Sequence, residues 1–412
     1  EVLRRETQVL ICAQSNMAVD WISEKLIERG VSVLRVGNPL RMTDAMLTHS
    51  YERRFADHPD YPRLWALRRQ IRQLYTLPRR ERPSAFRSKI DALREKASSL
   101  ECRIRQQLFE ETRAVTCTLA GSASPLLDGL HFHTLFIDEA AQALEAACWI
   151  AIRRAERIVL AGDHQQLPPT VKCPAAARGG LSRTMMEQIV GHCPETVTLL
   201  DMQYRMNEAL MAFPSRWFYG GRVKSAPEVR HRSILDFDVP ATWVDTSLLE
   251  DDSQEEFVGE GYGRVNKAEA ELTLQVLRDY IRRIGPDRMM DERIDFGIIS
   301  PYRAQVQFLR RLLRHDEELR PFRRMMTVNT VDGFQGQERD VVLISLVRAN
   351  DKGQIGFLSD LRRMNVAMTR ARMKLITLGP APTLCRHAFY KALYEYVGSL
   401  SGNEDSLETA KQ

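Results

Sequence analysis

The chain has 412 residues, 44% of them hydrophobic and 27% charged, with a formal net charge of +5. That is the composition of a water-soluble globular protein with room for two or three full cores, and its mild basicity permits a nucleic-acid partner without requiring one. No run approaches the roughly 20 apolar residues of a membrane-spanning helix, no signal peptide is visible, and seven scattered cysteines (12, 102, 117, 148, 173, 193 and 385) lack zinc-ligand spacing, so they read as reduced thiols in a cytoplasmic protein without a structural metal.

The chain opens on Glu1-Val2-Leu3-Arg4 rather than Met, which predicts a fragment of something longer. Gln8-Val9-Leu10-Ile11-Cys12-Ala13 predicts a strand buried on both faces. A helical stretch from about Ala18 to Arg29, ended by Gly30, and a strand from Val31 to Val36 complete a βαβ unit. The polar turn Gln14-Ser15-Asn16 then falls on the sheet edge where α/β proteins bind ligands. Ser15 and Asn16 either cap the helix or meet a phosphate at its N-terminus. From about Thr43 to Thr112 strand patterns vanish, and Arg, Lys, Glu, Leu and Gln recur at helical spacing. Pro78 and Pro83 break the run, which predicts an antiparallel helical hairpin inserted into the α/β domain. Its arginines (Arg68, Arg69, Arg72, Arg79, Arg80 and Arg82) read as a solvated face more than as nucleic-acid contacts.

The α/β rhythm resumes with a strand from Ala114 to Thr118. In Leu135-Phe136-Ile137-Asp138-Glu139-Ala140-Ala141-Gln142 an apolar strand runs straight into two adjacent carboxylates. Alone, such a pair is usually a solvated strand end. At a nucleotide site the first carboxylate holds Mg²⁺ beside the phosphates and the second orients and deprotonates the attacking water. A helix through Ala151 and a strand from Arg157 to Ala161 lead into Gly162-Asp163-His164-Gln165-Gln166-Leu167-Pro168-Pro169. This is a rigid loop on the same edge as Glu139, where a glutamine can bridge a terminal phosphate and a water. A helix from Leu181 to Val190 closes this half.

A second α/β half begins with a short strand from Val197 to Leu200, leading into Asp201-Met202-Gln203-Tyr204-Arg205-Met206. Asn207 caps the next helix. The stretch from Gly221 to Gly263 reads as irregular, with an acidic loop from Glu250 to Glu256. Asn266 and Glu269 have capping-box spacing for a helix to about Arg283. Strands follow at Ile294–Ile299, Met325–Asn329, Val341–Leu346 and Met373–Leu378. The first ends in Ser300-Pro301-Tyr302-Arg303, followed by a helix to Arg314. The second ends in Thr330-Val331-Asp332-Gly333-Phe334-Gln335-Gly336-Gln337-Glu338. A helix from Asp360 to Thr369 carries Arg363, Ala367 and Arg370 on one face. A last helix runs to about Val397, and Ser399 to Gln412 reads as a polar, disordered tail.

These blocks, with Arg363-Met364-Asn365-Val366-Ala367-Met368-Thr369-Arg370-Ala371-Arg372, resemble in order the motifs of superfamily-one helicases, and most closely the Upf/Smubp-like group. The match spans residue 8 to about 380, and six motifs in register do not arise by chance. The resemblance implies two RecA-like P-loop NTPase domains with parallel sheets, at 1–198 and 199–398, with the helical insertion at about 43–112 in the first. It implies ATP and Mg²⁺ as cofactors, single-stranded DNA or RNA as partner, and 5′-to-3′ movement. Carried over by motif, Asp138 ligates Mg²⁺, Glu139 is the general base and Gln166 senses the γ-phosphate. Arg205 and Arg370 act as arginine fingers from the second domain. Tyr204 stacks on adenine, with Gly336 and Glu338 at the nucleotide and Glu338 on the ribose. Ser15, Asn16, Thr116, Ser300, Tyr302, Thr330 and Asn365 line the strand. Arg372 shares the motif of Arg370.

One departure accompanies the matches. The family's Gly-x-x-x-x-Gly-Lys-Thr/Ser loop is expected before Gln8, and no Gly-Lys pair occurs in these 412 residues. Truncation is the expected cause, so the chain as given is expected to bind ATP poorly. Two rivals to the motor stay open at this point: a binding module without turnover, and an ATPase that remodels ribonucleoproteins with little unwinding.

Overall fold

The computed structural model describes residues 1–76, 78, 86–249, 254–259 and 263–409. They fall into two compact units, one of residues 1–164 and 168–197 and the other of residues 165–167 and 198 onward.

In the first unit β1 (Val9–Ala13), β2 (Val33–Arg35), β3 (Ala114–Thr118), β4 (Phe132–Asp138) and β5 (Ala155–Leu160) form a parallel sheet in the order β2-β3-β1-β4-β5. Every residue of β1 is buried. Successive side chains alternate faces, so Leu10 and Cys12 enter one core with Leu34, Val115 and Leu135. Val9 and Ile11 enter the other with Val33 and Ala114. Two covered faces are why the strand reads as an unbroken apolar run. Register sets Ala13 beside Asp138, so the turns after β1 and β4 leave the sheet side by side at its carboxyl edge. β5 is an edge strand, with Ile158 and Val159 each 38% exposed.

The helix after β1 spans Asn16–Ile27 and starts earlier than its apolar periodicity predicts, because the Ser15 hydroxyl caps it by accepting from the Ala18 amide at 3.1 Å. Inside this corner lies a buried ion pair. Arg35 Nε donates to Asp20 Oδ1 at 2.8 Å, and both side chains are essentially inaccessible. Arg35 also donates to the Val36 carbonyl and to Asn16 Oδ1, while Asp20 Oδ2 accepts from the Thr43 amide.

The insertion contains two long helices, Tyr61–Thr76 and Phe86–Glu110, after two short ones at Asp44–Leu47 and Tyr51–Ala56. The long helices run antiparallel: Arg94 reaches the Tyr75 hydroxyl, Arg68 pairs with Glu101, and Arg103 pairs with Asp60. Leu64, Ile104 and Leu108 anchor them in the unit's core. Arg68, Arg69 and Arg72 are exposed. Arg79, Arg80, Arg82 and Pro83 lie outside the described residues.

The second unit holds a parallel sheet of β8 (Ala241–Val244), β11 (Phe296–Ser300), β12 (Met326–Thr330), β13 (Arg339–Ser345) and β14 (Ala371–Leu378), in the order β12-β11-β13-β14-β8. Again one strand feeds two cores: Val341 and Leu343 face one, Val342 and Ile344 the other. Two small ribbons complete the unit: β6 (Met202–Gln203) with β7 (Lys224–Ser225), and β9 (Glu256–Val258) antiparallel to β10 (Gly263–Val265).

Three sequence expectations change here. No strand forms at Val197–Leu200. Leu200 is 84% exposed, and pairing starts only at Met202, where Lys224 supplies a partner. β8 lies in a stretch read as irregular; four residues after Pro240 give too short a pattern, and β14 supplies the pairing. The final helix spans Ala388–Thr409, past Ser399, because Leu393, Val397 and Leu400 continue one apolar stripe against the core. Residues 410–412 and 250–253 lie outside the described residues. Among the described residues no helix is long and apolar enough to cross a membrane.

Candidate nucleotide and nucleic-acid site

The first unit brings Asp138, Glu139, Ser15 and Asn16 to one sheet edge. Asp138 ends β4 and is partly buried. Burial pushes its carboxyl above the ordinary range, and a hydrogen bond from the Glu139 amide pulls it back. Glu139 adopts a left-handed backbone, φ 52°, an uncommon conformation for a residue with a side chain. Its carboxylate accepts from the Gln142 amide group. The next turn is fixed by Ala140 N donating to Ala161 O at 2.9 Å and Ala161 N donating to Ile137 O at 2.8 Å. Gly162 makes this close approach possible: a Cβ there would stand 3.0 Å from the Ala140 amide nitrogen and 3.1 Å from that of Ala141. Glycine thus presses the loop after β5 against the Asp138-Glu139 turn.

A half-buried carboxylate destabilised by desolvation and exposed to solvent on one side suits a hard divalent cation. Among the described residues no three His, Cys, Asp or Glu side chains gather as a metal cage. A Mg²⁺ ion held by one carboxylate, waters and substrate phosphates needs none.

Ser15 is exposed and serves as helix cap. Asn16 is half-buried with Oδ1 held by Arg35. Thr116 is corrected: it sits in the middle of β3, fully buried, and accepts from Ser23 Oγ at 2.9 Å. The half-exposed hydroxyl at that strand's carboxyl end belongs to Thr118, which accepts from the Gly121 amide.

In the second unit the named residues separate to opposite edges of the sheet. Arg205, Glu338 and Arg370 gather at the amino edge, where β13 and β14 begin. Arg205 Nε donates to Glu338 Oε2 at 2.7 Å and Nη1 donates to Thr369 O at 3.0 Å. Arg372 grips the other oxygen, with Nη2 2.7 Å from Glu338 Oε1, and reaches Asp340 Oδ1 at 3.1 Å. Burial alone would raise the Glu338 carboxyl; the Arg205 and Arg372 hydrogen bonds outweigh it and hold it below the ordinary range. Arg205 is 34% exposed on its side chain. Its turn is braced by Gln203, whose Oε1 accepts from the Arg205 and Met206 amides. Tyr204 beside it is 67% exposed, an aromatic face open to a ligand. Gly336, φ 74°, lies in the short crossing from β12 to β13.

Arg370 departs from a free arginine finger. It is 2% exposed, and its guanidinium donates to Val366 O at 2.9 Å and Gln337 O at 3.2 Å. Arg363 on the preceding helix is instead half-buried and pairs with Asp332.

At the carboxyl edge stand Ser300, Tyr302 and Thr330. Thr330 is half-exposed, but Ser300 is fully buried and Tyr302 is 4% exposed, which corrects the expectation that these two side chains are open to a strand. Asn365, likewise fully buried, donates to Gln165 O and to the Tyr219 hydroxyl. It anchors the segment carrying Gln166, which is half-buried beside the buried Leu167.

The description AAA domain matches residues 1–174 and, in a second form, residues 181–382. The chain is 34% identical to the DNA-binding protein SMUBP-2 of Mus musculus, over 96% of this chain and 40% of that protein. It is 31% identical to the Regulator of nonsense transcripts 1 homolog of Drosophila melanogaster, over 97% of this chain and 33% of that protein. It is 30% identical to an uncharacterized ATP-dependent helicase of Methanocaldococcus jannaschii, over 97% of this chain and 65% of that protein. The chain belongs to the Upf/Smubp-like group of superfamily-one helicases. Its two parallel α/β units are the RecA-like domains of that family, and it spans well under half the length of its SMUBP-2 relatives.

For this Upf/Smubp-like chain, motif order put Asp138 and Glu139 at the end of a strand, where β4 ends, but gave no sign that Arg205 and Glu338 pair with each other. It did not show which hydroxyls reach the surface. Position along β3 carries that signal: Thr116 and Thr118 share a face, but four consecutive residues from Ala114 are buried and only Thr118 stands at the strand end.

Proposed function

We propose that this chain is the motor part of an ATP-dependent helicase or translocase acting on single-stranded DNA or RNA with 5′-to-3′ polarity. The observation that carries the reading is the Asp138-Glu139 turn at the carboxyl end of β4, held in a left-handed conformation beside the turn that presents Ser15 and Asn16. Two carboxylates of unequal surroundings suit two tasks: Asp138 holds Mg²⁺ with the phosphates, and Glu139 takes the proton of the attacking water. Gln166 orients that water. Arg205 of the second unit supplies positive charge to the transition state, and Arg370 does so on leaving the Val366 and Gln337 carbonyls, with Tyr204, Gly336 and Glu338 at the nucleoside. Mg²⁺, when bound, neutralises developing phosphate charge. Arg205 reaches a phosphate only by leaving Glu338, so the amino-edge cluster is a resting arrangement in this reading. Ser15, Asn16 and Thr330 meet the strand, Thr118 takes the place expected of Thr116, and Ser300, Tyr302 and Asn365 support them. The residue limits proposed for the two domains are 1–198 and 199–398.

The test is ATP hydrolysis, with and without single-stranded DNA or RNA, by the 412-residue chain and by a version carrying the further N-terminal sequence of its longer relatives. Turnover stimulated by a strand supports the motor. Strand binding without turnover in both versions replaces it with a binding module.

A further inference from the structure

Phe357 is 60% exposed. It sits in the short turn Gly356–Ser359, in which Leu358 is buried in the core of the second unit, as is Ile355 just before the turn. The Leu358 carbonyl accepts from the buried Tyr390 hydroxyl at 2.8 Å. Pinned on both sides, the turn leaves the Phe357 ring no core to enter. The ring rests instead against Tyr302, with centroids 5.8 Å apart.

Two further features belong to this edge of the sheet. The Tyr302 hydroxyl, on a side chain 4% exposed, is buried beside the Arg348 guanidinium and ends against Gly356, one residue before Phe357. Val347, a β-branched residue in the segment leaving β13, has φ 71°. That conformation is held because its amide donates to the buried Glu269 at 2.8 Å. Exposed Arg303 follows Tyr302 directly and adds positive charge. An exposed aromatic ring seated on Tyr302, with a cation beside it at the carboxyl edge of a parallel sheet, matches how single strands are held: bases stack on a ring while the backbone follows positive charge.

We propose that Phe357, seated on Tyr302, is a stacking platform for one base of the single strand. The proposal rests on the strand-motor reading and adds a residue and a mode of contact to it. Hydroxyl and amide contacts at this edge grip the backbone; Phe357 senses the presence of a base without its identity, because every base has a π-face.

The test compares wild type, Phe357→Ala and Phe357→Trp for binding to oligothymidylate, oligouridylate and an abasic deoxyribose-phosphate strand of equal length. Anisotropy reads binding, and circular dichroism confirms folding. Phe357→Ala is expected to weaken base-bearing strands roughly 5- to 150-fold, the range that stacking is worth by alanine substitution. Phe357→Trp restores the affinity, and all three proteins bind the abasic strand equally. If Phe357→Ala binds base-bearing strands as wild type does, the platform is refuted while the motor reading stands. An equal loss on the abasic strand also refutes it. If wild type binds no strand, the motor reading and the platform fall together.

Discussion

Replacing Arg35 with Met tests whether the corner behind Asn16 is built as described. Arg35 and Asp20 are essentially inaccessible, and Arg35 serves three acceptors: Asp20 Oδ1, the Val36 carbonyl and Asn16 Oδ1. Met fills similar volume but strands the Asp20 charge, which keeps only the Thr43 amide on Oδ2. Removing one partner of a buried pair costs about 3–5 kcal/mol, because the remaining charge has lost both water and its counterion. Hydrogen exchange reads this locally. Amides of β1 and β3 should exchange roughly two to three and a half orders of magnitude faster, since each 1.36 kcal/mol is tenfold. Amides of β11 in the second unit are the internal control. Adding Asp20→Asn removes the stranded charge and should recover part of the loss. An Arg35→Met protein whose β1 amides exchange within threefold of wild type would refute the argument.

In the N-terminally extended chain, Glu139→Gln should abolish strand-stimulated ATP turnover while nucleotide still binds; retained turnover removes Glu139 as the base. Arg370→Lys keeps a cation but not the geometry that serves Val366 O and Gln337 O. It should lower turnover about 10³-fold or more, the range seen when an arginine finger is lost, whereas unchanged turnover would make Arg370 structural. Burial pushes the Glu269 carboxyl up to about 7, against hydrogen bonds from Ser345 and the Val347 amide. Its folded value lies above the unfolded 4.5, so its contribution is fully present below pH 4.5 and is lost as pH rises through 7. The loss is about 3 kcal/mol. Urea midpoints of the second unit should fall across that window in wild type and stay flatter in Glu269→Gln; parallel curves would show that Glu269 is not the group responsible.

Element type was legible wherever a strand is covered on both faces, as with β1, β4 and β13, because burial on two sides leaves an unbroken apolar run. It was poorly legible at β8, where four residues become a strand only because β14 offers hydrogen bonds. The Asn266–Glu269 spacing gave half of a capping box: Asn266 accepts from the Glu269 amide at 2.9 Å. The Glu269 side chain turns away to Ser345 and Val347, and Gln305 takes the Asn266 amide. Motif order placed Asp138, Glu139 and Arg205 because their spacing relative to strand ends survives in one dimension. The exposure of Thr116, Ser300 and Arg370 did not survive, since it depends on which neighbouring strand or helix covers each side chain. Phe357 went unnoticed because one aromatic residue carries no periodic signal; only the burial of Ile355 and Leu358 around it shows that it was left outside.

The insertion between β2 and β3 bears on how the first unit folds. Those neighbouring strands are separated in sequence by the whole two-helix segment, and joining them through an unstructured loop would carry the full closure entropy. The helical arms need only local contacts to form. Arg54, paired with Glu111 and close to the Thr112 hydroxyl, then draws the base of the hairpin together. Each halving of the effective loop lowers the closure cost by about 0.6 kcal/mol. An early hairpin would therefore deliver β3 to the sheet as though it followed β2 closely in the chain, giving a parallel sheet, ordinarily slow to assemble, a local route to its first pairing.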